Sequence, residues 1–313
     1  MNILILGAAG FIGTHLAIKL AEDNNNNITL FDRENADFSP ILKKNFTNVS
    51  IFRGDFDENN DFLVLTKNQD VIYHLISTSI PSNSNQQIAE EIEANVIVTI
   101  HLLDACVQNN IKKVVFLSSG GTVYGKTEEK LLAEDMPTNP ISTYGIQKLT
   151  IEKILYLYNY LYSLDYRIVR LANPYGPYQK PNGVQGVVTT FIYKCLMHEE
   201  IKVFGDGSII RDFIYIDDTI NGILNIVNGD ASERIFNLGS GEGKSINEVI
   251  DSIEIALDLD INVIYTKGRP VDVPINVLDI QRYESNFGEL KTISLIEGIK
   301  KTADFMREIY DIE

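Results

Sequence analysis

Two side chains in this chain are spaced to exchange a proton. Tyr144 and Lys148, in Tyr144-Gly-Ile-Gln-Lys148, stand four residues apart and share one face of a helix. A free phenol has a pKa of about 10 and is a poor base at neutral pH. An ammonium within hydrogen-bonding reach favours the phenolate, and a phenol tuned in this way works as a general acid and base. Of the 15 tyrosines, only Tyr144 has a lysine four residues on, although the same spacing also occurs on ordinary solvated helices. Upstream, Ser118-Ser119-Gly120-Gly121-Thr122-Val123-Tyr124-Gly125 offers hydroxyls, Ser119 and Thr122 among them, that suit a substrate oxygen beside Tyr144; the bland alternative is a plain polar loop.

A second constellation suits a dinucleotide. Gly7-Ala-Ala-Gly10-Phe11-Ile12-Gly13 follows the first apolar run and opens a helical pattern. Missing Cβ atoms let the backbone turn tightly, let a pyrophosphate approach, and let helix and strand pack closely, while the helix N-terminus offers free N–H groups. Three glycines alone also make an ordinary turn. The context adds Asp32, which ends the second apolar run nineteen residues after Gly13, where an acidic residue reaches the adenosine ribose. A carboxylate there accepts from both ribose hydroxyls and repels a 2′-phosphate, so NAD is expected over NADP, with the neighbouring Arg33 blunting that preference. Asp55, in Gly54-Asp55-Phe56, is placed to reach the adenine or is a solvated turn residue.

The elements that must position these groups are legible as alternating patterns. Ile3–Leu6, Ile28–Phe31, Val49–Phe52, Val71–Leu75, Val114–Leu117 and Arg167–Leu171 are short apolar runs, as strands covered on both faces must be. Helical patterns near 11–22, 88–110 and 143–163 lie between them, and strand-helix alternation predicts an α/β, doubly wound parallel sheet of the Rossmann kind. In such sheets the loops at the strand C-termini line the ligand crevice. The helix near 143–163 is apolar nearly all round, which predicts that one face packs on the sheet and another on a second subunit, or else beneath the C-terminal region. After Asn173 a cluster of prolines and glycines marks a long loop, and Ile235–Leu238 reads as one more sheet strand. The organisation expected is a NAD-binding domain of residues 1–171 and 211–239, with a smaller, interleaved C-terminal substrate-binding region of residues 172–210 and 240–313.

Composition narrows the partners. A net charge of −16 argues against nonspecific nucleic-acid binding, which rewards a basic face. The two cysteines, Cys106 and Cys195, form no metal or disulfide pattern, so no metal is expected and a reducing compartment fits. No signal peptide opens the chain, and no apolar run approaches the ~20 residues needed to cross a bilayer. The expectation is a cytoplasmic protein without membrane contact.

Taken together, the glycine motif, the Ser-Ser-Gly-Gly-Thr-Val-Tyr-Gly loop, Tyr144 with Lys148, and Arg170-Leu-Ala-Asn173-Pro resemble the extended short-chain dehydrogenase/reductases along essentially the whole chain. Within them the resemblance is to the NAD-dependent nucleotide-sugar epimerases and dehydratases of the UDP-galactose 4-epimerase kind. It implies a homodimer built on a four-helix bundle and a nucleotide-sugar substrate. It also implies that Leu75, Ile76 and Ser77 line the cofactor together with Phe11, Ile12 and Phe56, that Asn95 approaches it, and that Ala172 lies near the nicotinamide. Asn173 would contact the sugar nucleotide, Phe204 its base, Arg211 and Arg269 the diphosphate, and Asp272 the ribose. Guanidinium forks suit diphosphate oxygens. Asn276 would border the sugar's 2-position and tolerate an N-acetyl group; alternatively it is a turn residue after Pro274.

Two departures bear on the chemistry. The family's usual catalytic Ser/Thr falls on Gly120, so Thr122 or Ser119 is expected to supply that hydroxyl, the alternative being that Tyr144 acts without a hydroxyl partner. The Thr-Asp-Glu run of the sugar dehydratases falls on Gly120, Gly121 and Thr122, which carry no carboxylate, so dehydration is not expected. The resulting expectation is a 4-epimerase acting on a UDP-hexose or UDP-N-acetylhexosamine through a transient 4-keto sugar. A 4-ketoreductase or dehydrogenase uses the same residues, and a nonenzymatic NAD sensor would have no need of the Tyr144–Lys148 pair.

Overall fold

The computed structural model describes residues 1–78, 85–181, 186–268 and 273–312. Six strands, β1 (Asn2–Leu6), β2 (Asn27–Asp32), β3 (Val49–Arg53), β4 (Val71–His74), β5 (Lys113–Ser119) and β6 (Asp165–Leu171), fall where the apolar runs predict them. Short strands follow: β7 (Asn173–Tyr175), β8 (Ile201–Phe204), β9 (Ile210–Tyr215), β10 (Ile235–Leu238), β11 (Gly243–Ser245), β12 (Val263–Thr266) and β13 (Ile275–Asn276). The main sheet has the order β10-β6-β5-β4-β1-β2-β3, with every pairing parallel. Chain order reverses between β1 and β4, and that is the point at which an open α/β sheet takes a ligand beyond its strand C-termini.

Alternation along each strand feeds two cores. Ile3 and Ile5 join Leu16, Ala17 and Ile223 on one face, while Leu4 and Leu6 join Leu102, Ile151 and Leu155 on the other. Both faces are therefore covered, as near-continuous apolar strands require. Helices Phe11–Ala21 and Ile216–Asn228 cover the first face, and helices Val98–Gln108 and Thr143–Tyr162 the second. The pattern expected as one helix near 88–110 is interrupted: Ile88–Ile92 passes through a π-helical turn, Glu93–Ile97, before Val98–Gln108. That turn carries Asn95, whose amide is engaged outside the helix. Such turns often mark functional sites.

Strand β9 pairs with β7, β11 and β13 in a separate small sheet. Its backbone hydrogen bonds are taken up there, so the chain rejoins the main layers only with helix Ile216–Asn228 and β10. Strands β8 and β12 form a further two-stranded sheet. Asp212 of β9 ties small sheet to large. Its buried carboxylate accepts from the Ser240 N–H (2.7 Å) and hydroxyl (2.7 Å) and from the N–H groups of Gly241 and Leu278, both at 3.3 Å.

Helix Thr143–Tyr162 packs on the sheet through Ile151, Leu155 and Tyr158, and leaves Ile146, Tyr156, Leu157, Tyr160 and Leu161 exposed, Tyr160 by 77%. Tyr158 donates to Asp104 on the neighbouring helix (2.6 Å). Among the described residues, no helix is long and apolar enough to cross a membrane.

His74 closes β4 inside the second core, with its ring between Phe56 (5.2 Å) and Phe116 (5.4 Å) and Nε2 at 2.9 Å from the Thr99 hydroxyl. Burial, with the Lys148 charge in support, pulls its pKa down to about 3 from 6.5. A base whose folded pKa is depressed stabilises the fold above its unfolded pKa and loses that contribution as pH falls. Unfolding free energy should therefore decline below about pH 6.5, His74 contributing a limiting slope of about 1.4 kcal/mol per pH unit. Denaturant titrations should give a flatter dependence for His74→Gln between about pH 6 and 5; parallel curves for the two proteins would refute the assignment.

Candidate active site

The glycine segment turns directly off β1. Gly7 has φ +83°, and the N–H groups of Gly7 and Ala8 both donate to the Phe31 carbonyl, at 2.9 and 3.2 Å. A Cβ on Gly13 would collide with the Gly7 carbonyl oxygen, so only glycine lets the helix approach the strand this closely. Gly10 caps the helix with no side chain, and Phe11 and Ile12 begin it half-buried. Asp32 accepts from the Ala9 N–H (3.0 Å) and the Arg33 N–H (2.9 Å), which holds its carboxylate at the rim of this turn. A cradle without side chains, a helix N-terminus and an adjacent carboxylate fit the pyrophosphate and ribose of NAD.

Around this cradle, Leu75 donates its N–H to Leu6 (3.1 Å) and the Ile76 side chain lies against Gly7. Ser77 follows, exposed. Asn95 does not project openly: it is buried, accepts from the Thr78 N–H (2.9 Å), and donates to the Thr78 hydroxyl (2.7 Å) and the Glu91 carbonyl (2.9 Å). It clamps the segment that follows β4. Asp55 is exposed, whereas Phe56 is a core residue against Phe62 and His74. Ala172 is buried and hydrogen-bonded through its N–H to Leu238 (2.8 Å) at the end of β6.

Three successive residues at the end of β5 meet three residues spaced four apart on helix Thr143–Tyr162. The Ser119 hydroxyl is hydrogen-bonded to the Tyr144 phenol. The Leu117 carbonyl accepts from Lys148 Nζ (2.9 Å). The Ser118 hydroxyl donates to Glu152 Oε1 (2.5 Å). Ser142 starts this helix by accepting from the Gly145 N–H (3.2 Å), a side-chain cap that fixes where Tyr144 stands. Lys148 Nζ lies over the Phe116 ring (4.7 Å) and 5.7 Å from the centre of the Tyr144 ring. Burial pushes the Tyr144 phenol up to about 12, with the Ser119 bond working the other way. Burial pulls the Lys148 ammonium down to about 8, opposed by Glu152. The resting pair is thus a neutral phenol beside an ammonium that is charged at neutral pH.

A Cβ on Gly120 would stand 2.6 Å from Leu278 Cδ1, so a side chain at position 120 would require Leu278 to shift. Of the two replacement hydroxyls expected, Ser119 meets Tyr144, while Thr122 Oγ1 is buried without a partner.

On the substrate side, Asn173 opens β7 and donates to the Asp212 carbonyl (2.8 Å). Phe204, at the end of β8, is 40% exposed. Arg211 donates to the carbonyls of Ile210 (2.8 Å) and Val273 (2.7 Å). Arg269 and Asp272 lie outside the described residues. Asn276 is a strand residue of β13, only 1% exposed; its amide donates to the carbonyls of Gly120 (3.3 Å) and Gly121 (3.4 Å), and its Oδ1 is buried without a partner. It braces the loop after β5.

Beneath the pair lies a polar network that motif reading does not identify. Arg170 grips Glu152 through Nε (3.1 and 3.2 Å) and Nη2 (2.7 Å), and donates to the Tyr124 hydroxyl (3.1 Å) and the Glu134 carbonyl (3.1 Å). Tyr124 donates to Asn237 (2.6 Å), whose N–H donates to Glu134 Oε1 (2.8 Å). The signal available in the sequence was the continued four-residue spacing from Tyr144 through Lys148 to Glu152.

Comparison with known proteins agrees with this fold. Residues 3–239 match the model of the NAD dependent epimerase/dehydratase family. The chain is similar to the UDP-glucose 4-epimerase of Mycolicibacterium smegmatis, at 32% identity over 309 residues, 98% of this chain and 99% of that one. It superposes on the crystal structure of UDP-glucose 4-epimerase from Thermotoga maritima with UDP-glucose at a TM-score of 0.92 and 30% identity, covering 99% of this chain and 100% of the other. Against UDP-glucuronic acid 4-epimerase from Bacillus cereus in complex with UDP-glucuronic acid and NAD, the TM-score is 0.89 at 27% identity, again over 99% and 100%. More distant relatives include a dTDP-4-dehydro-6-deoxyglucose reductase of Escherichia coli and a UDP-N-acetyl-alpha-D-glucosaminuronate decarboxylase of Bacillus cytotoxicus, each 29% identical and each matching over 98% of this chain. The chain belongs to the NAD-dependent epimerase/dehydratase family, and NAD is its cofactor.

Proposed function

We propose that the protein is a 4-epimerase of a nucleotide-activated sugar, a UDP-hexose or UDP-N-acetylhexosamine. The observation that carries this reading is the Ser119–Tyr144 hydrogen bond beside Lys148, at a loop whose next three residues, Gly120, Gly121 and Thr122, hold no carboxylate. One acid/base at one oxygen suffices to interconvert a 4-hydroxyl and a 4-ketone. Elimination of water would need a further acid/base on the neighbouring carbons.

In this reading Tyr144 takes the proton from the sugar 4-hydroxyl and returns it after the 4-keto sugar has turned to present its other face. Ser119 holds the same oxygen, and the Lys148 ammonium favours the phenolate when the proton is lost. NAD, when bound, supplies the hydride acceptor and donor at C4, so no external oxidant is consumed. Gly7, Gly10, Gly13 and Asp32 hold its pyrophosphate and ribose. Asn173 contacts the sugar nucleotide, Phe204 its base, Arg211 and Arg269 the diphosphate, and Asp272 the nucleotide ribose.

The test offers purified, NAD-loaded protein a panel of UDP-, dTDP- and GDP-sugars with no added cofactor. Formation of the C4 isomer is expected; turnover only with added NADH or NAD would establish the 4-ketoreductase or dehydrogenase reading instead, and silence on every sugar would return the protein to the class of sensors. Tyr144→Phe should lower turnover by roughly 10²-fold or more while retaining NAD binding, the scale of lost acid–base catalysis. Ser119→Ala should be far more damaging than Thr122→Val, and the reverse ranking would give the hydroxyl role to Thr122.

The protein is further proposed to be a homodimer joined through the exposed apolar face of helix Thr143–Tyr162. Tyr160→Glu should then halve the mass read by light scattering without altering circular dichroism, whereas an unchanged mass would exclude this face.

A further inference from the structure

Glu152 stands one helical turn beyond Lys148 and two beyond Tyr144. Glu152 and Arg170 are each 2% exposed. Burying a carboxylate this deeply is costly unless it is both paired and hydrogen-bonded. Glu152 has both kinds of partner, and they are cross-strand neighbours: Ser118 of β5 is in register with Arg170 of β6. The carboxylate accepts the Ser118 hydroxyl on one side and the Arg170 guanidinium on the other. It thereby pins the middle of helix Thr143–Tyr162 to two strands at once. Ser118 immediately precedes Ser119, which holds the Tyr144 phenol, and follows Leu117, whose carbonyl holds Lys148. A shift of Glu152 must move both members of the acid/base pair against the strand that carries Ser119.

The same carboxylate lies one turn along the helix from Lys148, on the same face, and its charge favours the ammonium. The other groups packed around that ammonium are the Phe116 ring and Leu117 carbonyl from β5, neutral His74 from β4, and Tyr144 on its own helix. Ile76, Asn95 and Gln147 line the small gap beside it. Arg170 lies beyond Glu152 and holds it.

We propose that Glu152 is a positioning residue for the reaction: its carboxylate, gripped by Arg170 and Ser118, keeps Lys148 charged and sets the Tyr144–Lys148 pair in register with Ser119. Its consequence for turnover rests on the acid/base role of Tyr144; its consequence for Lys148 does not.

The test reads Lys148 directly, by following its side-chain NMR resonance through pH in the protein without sugar, with Lys148→Arg to assign the signal. The wild-type midpoint is expected near the value of about 8 that burial and Glu152 together produce. In Glu152→Gln the midpoint should fall by about one pH unit or more, roughly a tenfold loss in the protonation equilibrium. Turnover should fall through kcat with KM retained, and the acid limb of its pH profile should move upward, because a neutral lysine no longer favours the phenolate. A Lys148 midpoint unmoved in Glu152→Gln, together with lower thermal stability, would reduce Glu152 to a structural ion pair and overturn the proposal. The single variant leaves Arg170 buried without its carboxylate. If it does not fold, Glu152→Gln with Arg170→Gln, neutral at both positions, carries the same test: the midpoint falls, or the proposal fails. A shifted midpoint in a protein inactive on every sugar would keep this proposal and sink the epimerase reading.

Discussion

The rest of this molecule depends on one constraint: charged and polar groups needed for chemistry are buried at the end of β5, and each must find a partner there. Lys148, Glu152 and Arg170 all lie out of water, where an unpartnered charge costs several kcal/mol. The solution is a helix set against a strand end so that Tyr144, Lys148 and Glu152 meet Ser119, Leu117 and Ser118. The four-residue period of the helix supplies one set of positions, and three consecutive strand residues supply the other. Neither set is satisfied unless helix and strand hold one relative placement.

That placement is secured from further away. Arg170 reaches Glu152 from β6, and through Tyr124, Asn237 and Glu134 the network runs to β10 at the sheet edge. Asp212 then joins the turn after β10 to β9 and to Leu278. Leu278 in turn fills the space beside Gly120, and Asn276 braces the Gly120 and Gly121 carbonyls. The C-terminal region thus supports the loop after β5 as well as being the proposed holder of the nucleotide.

The cofactor cradle obeys a different rule. There the useful property is what the side chains leave out. Gly7, Gly10 and Gly13 keep the strand-to-helix turn bare, and Asp32 is held at its rim by two backbone N–H groups. Backbone donors and a helix N-terminus are rigid, so they bind phosphate with little reorganisation. The proposed acid/base pair, by contrast, would change charge during turnover. It is supported by the Ser119 hydroxyl at Tyr144 and the Leu117 carbonyl at Lys148.

What the sequence determined by itself was everything with a local period. Apolar runs marked β1 to β6 and β10, the glycine spacing marked the cradle with Asp32 at its distance, and the spacing of Tyr144 and Lys148 marked one helical face. These are read between chain neighbours, whose geometry a helix or strand prescribes. Tertiary structure alone decided the matters that turn on partners far along the chain. Ser119 meets Tyr144, while the Thr122 hydroxyl is buried without a partner. Asn276 lies buried against a loop 156 residues away. Strand β9 belongs to the small sheet, because its hydrogen-bonding edges are met by β7, β11 and β13. Glu152 is a buried acid held by Arg170, where the amphipathic pattern alone permits a solvated one. No period links such partners. Packing density and the need to satisfy every buried polar group bring them together.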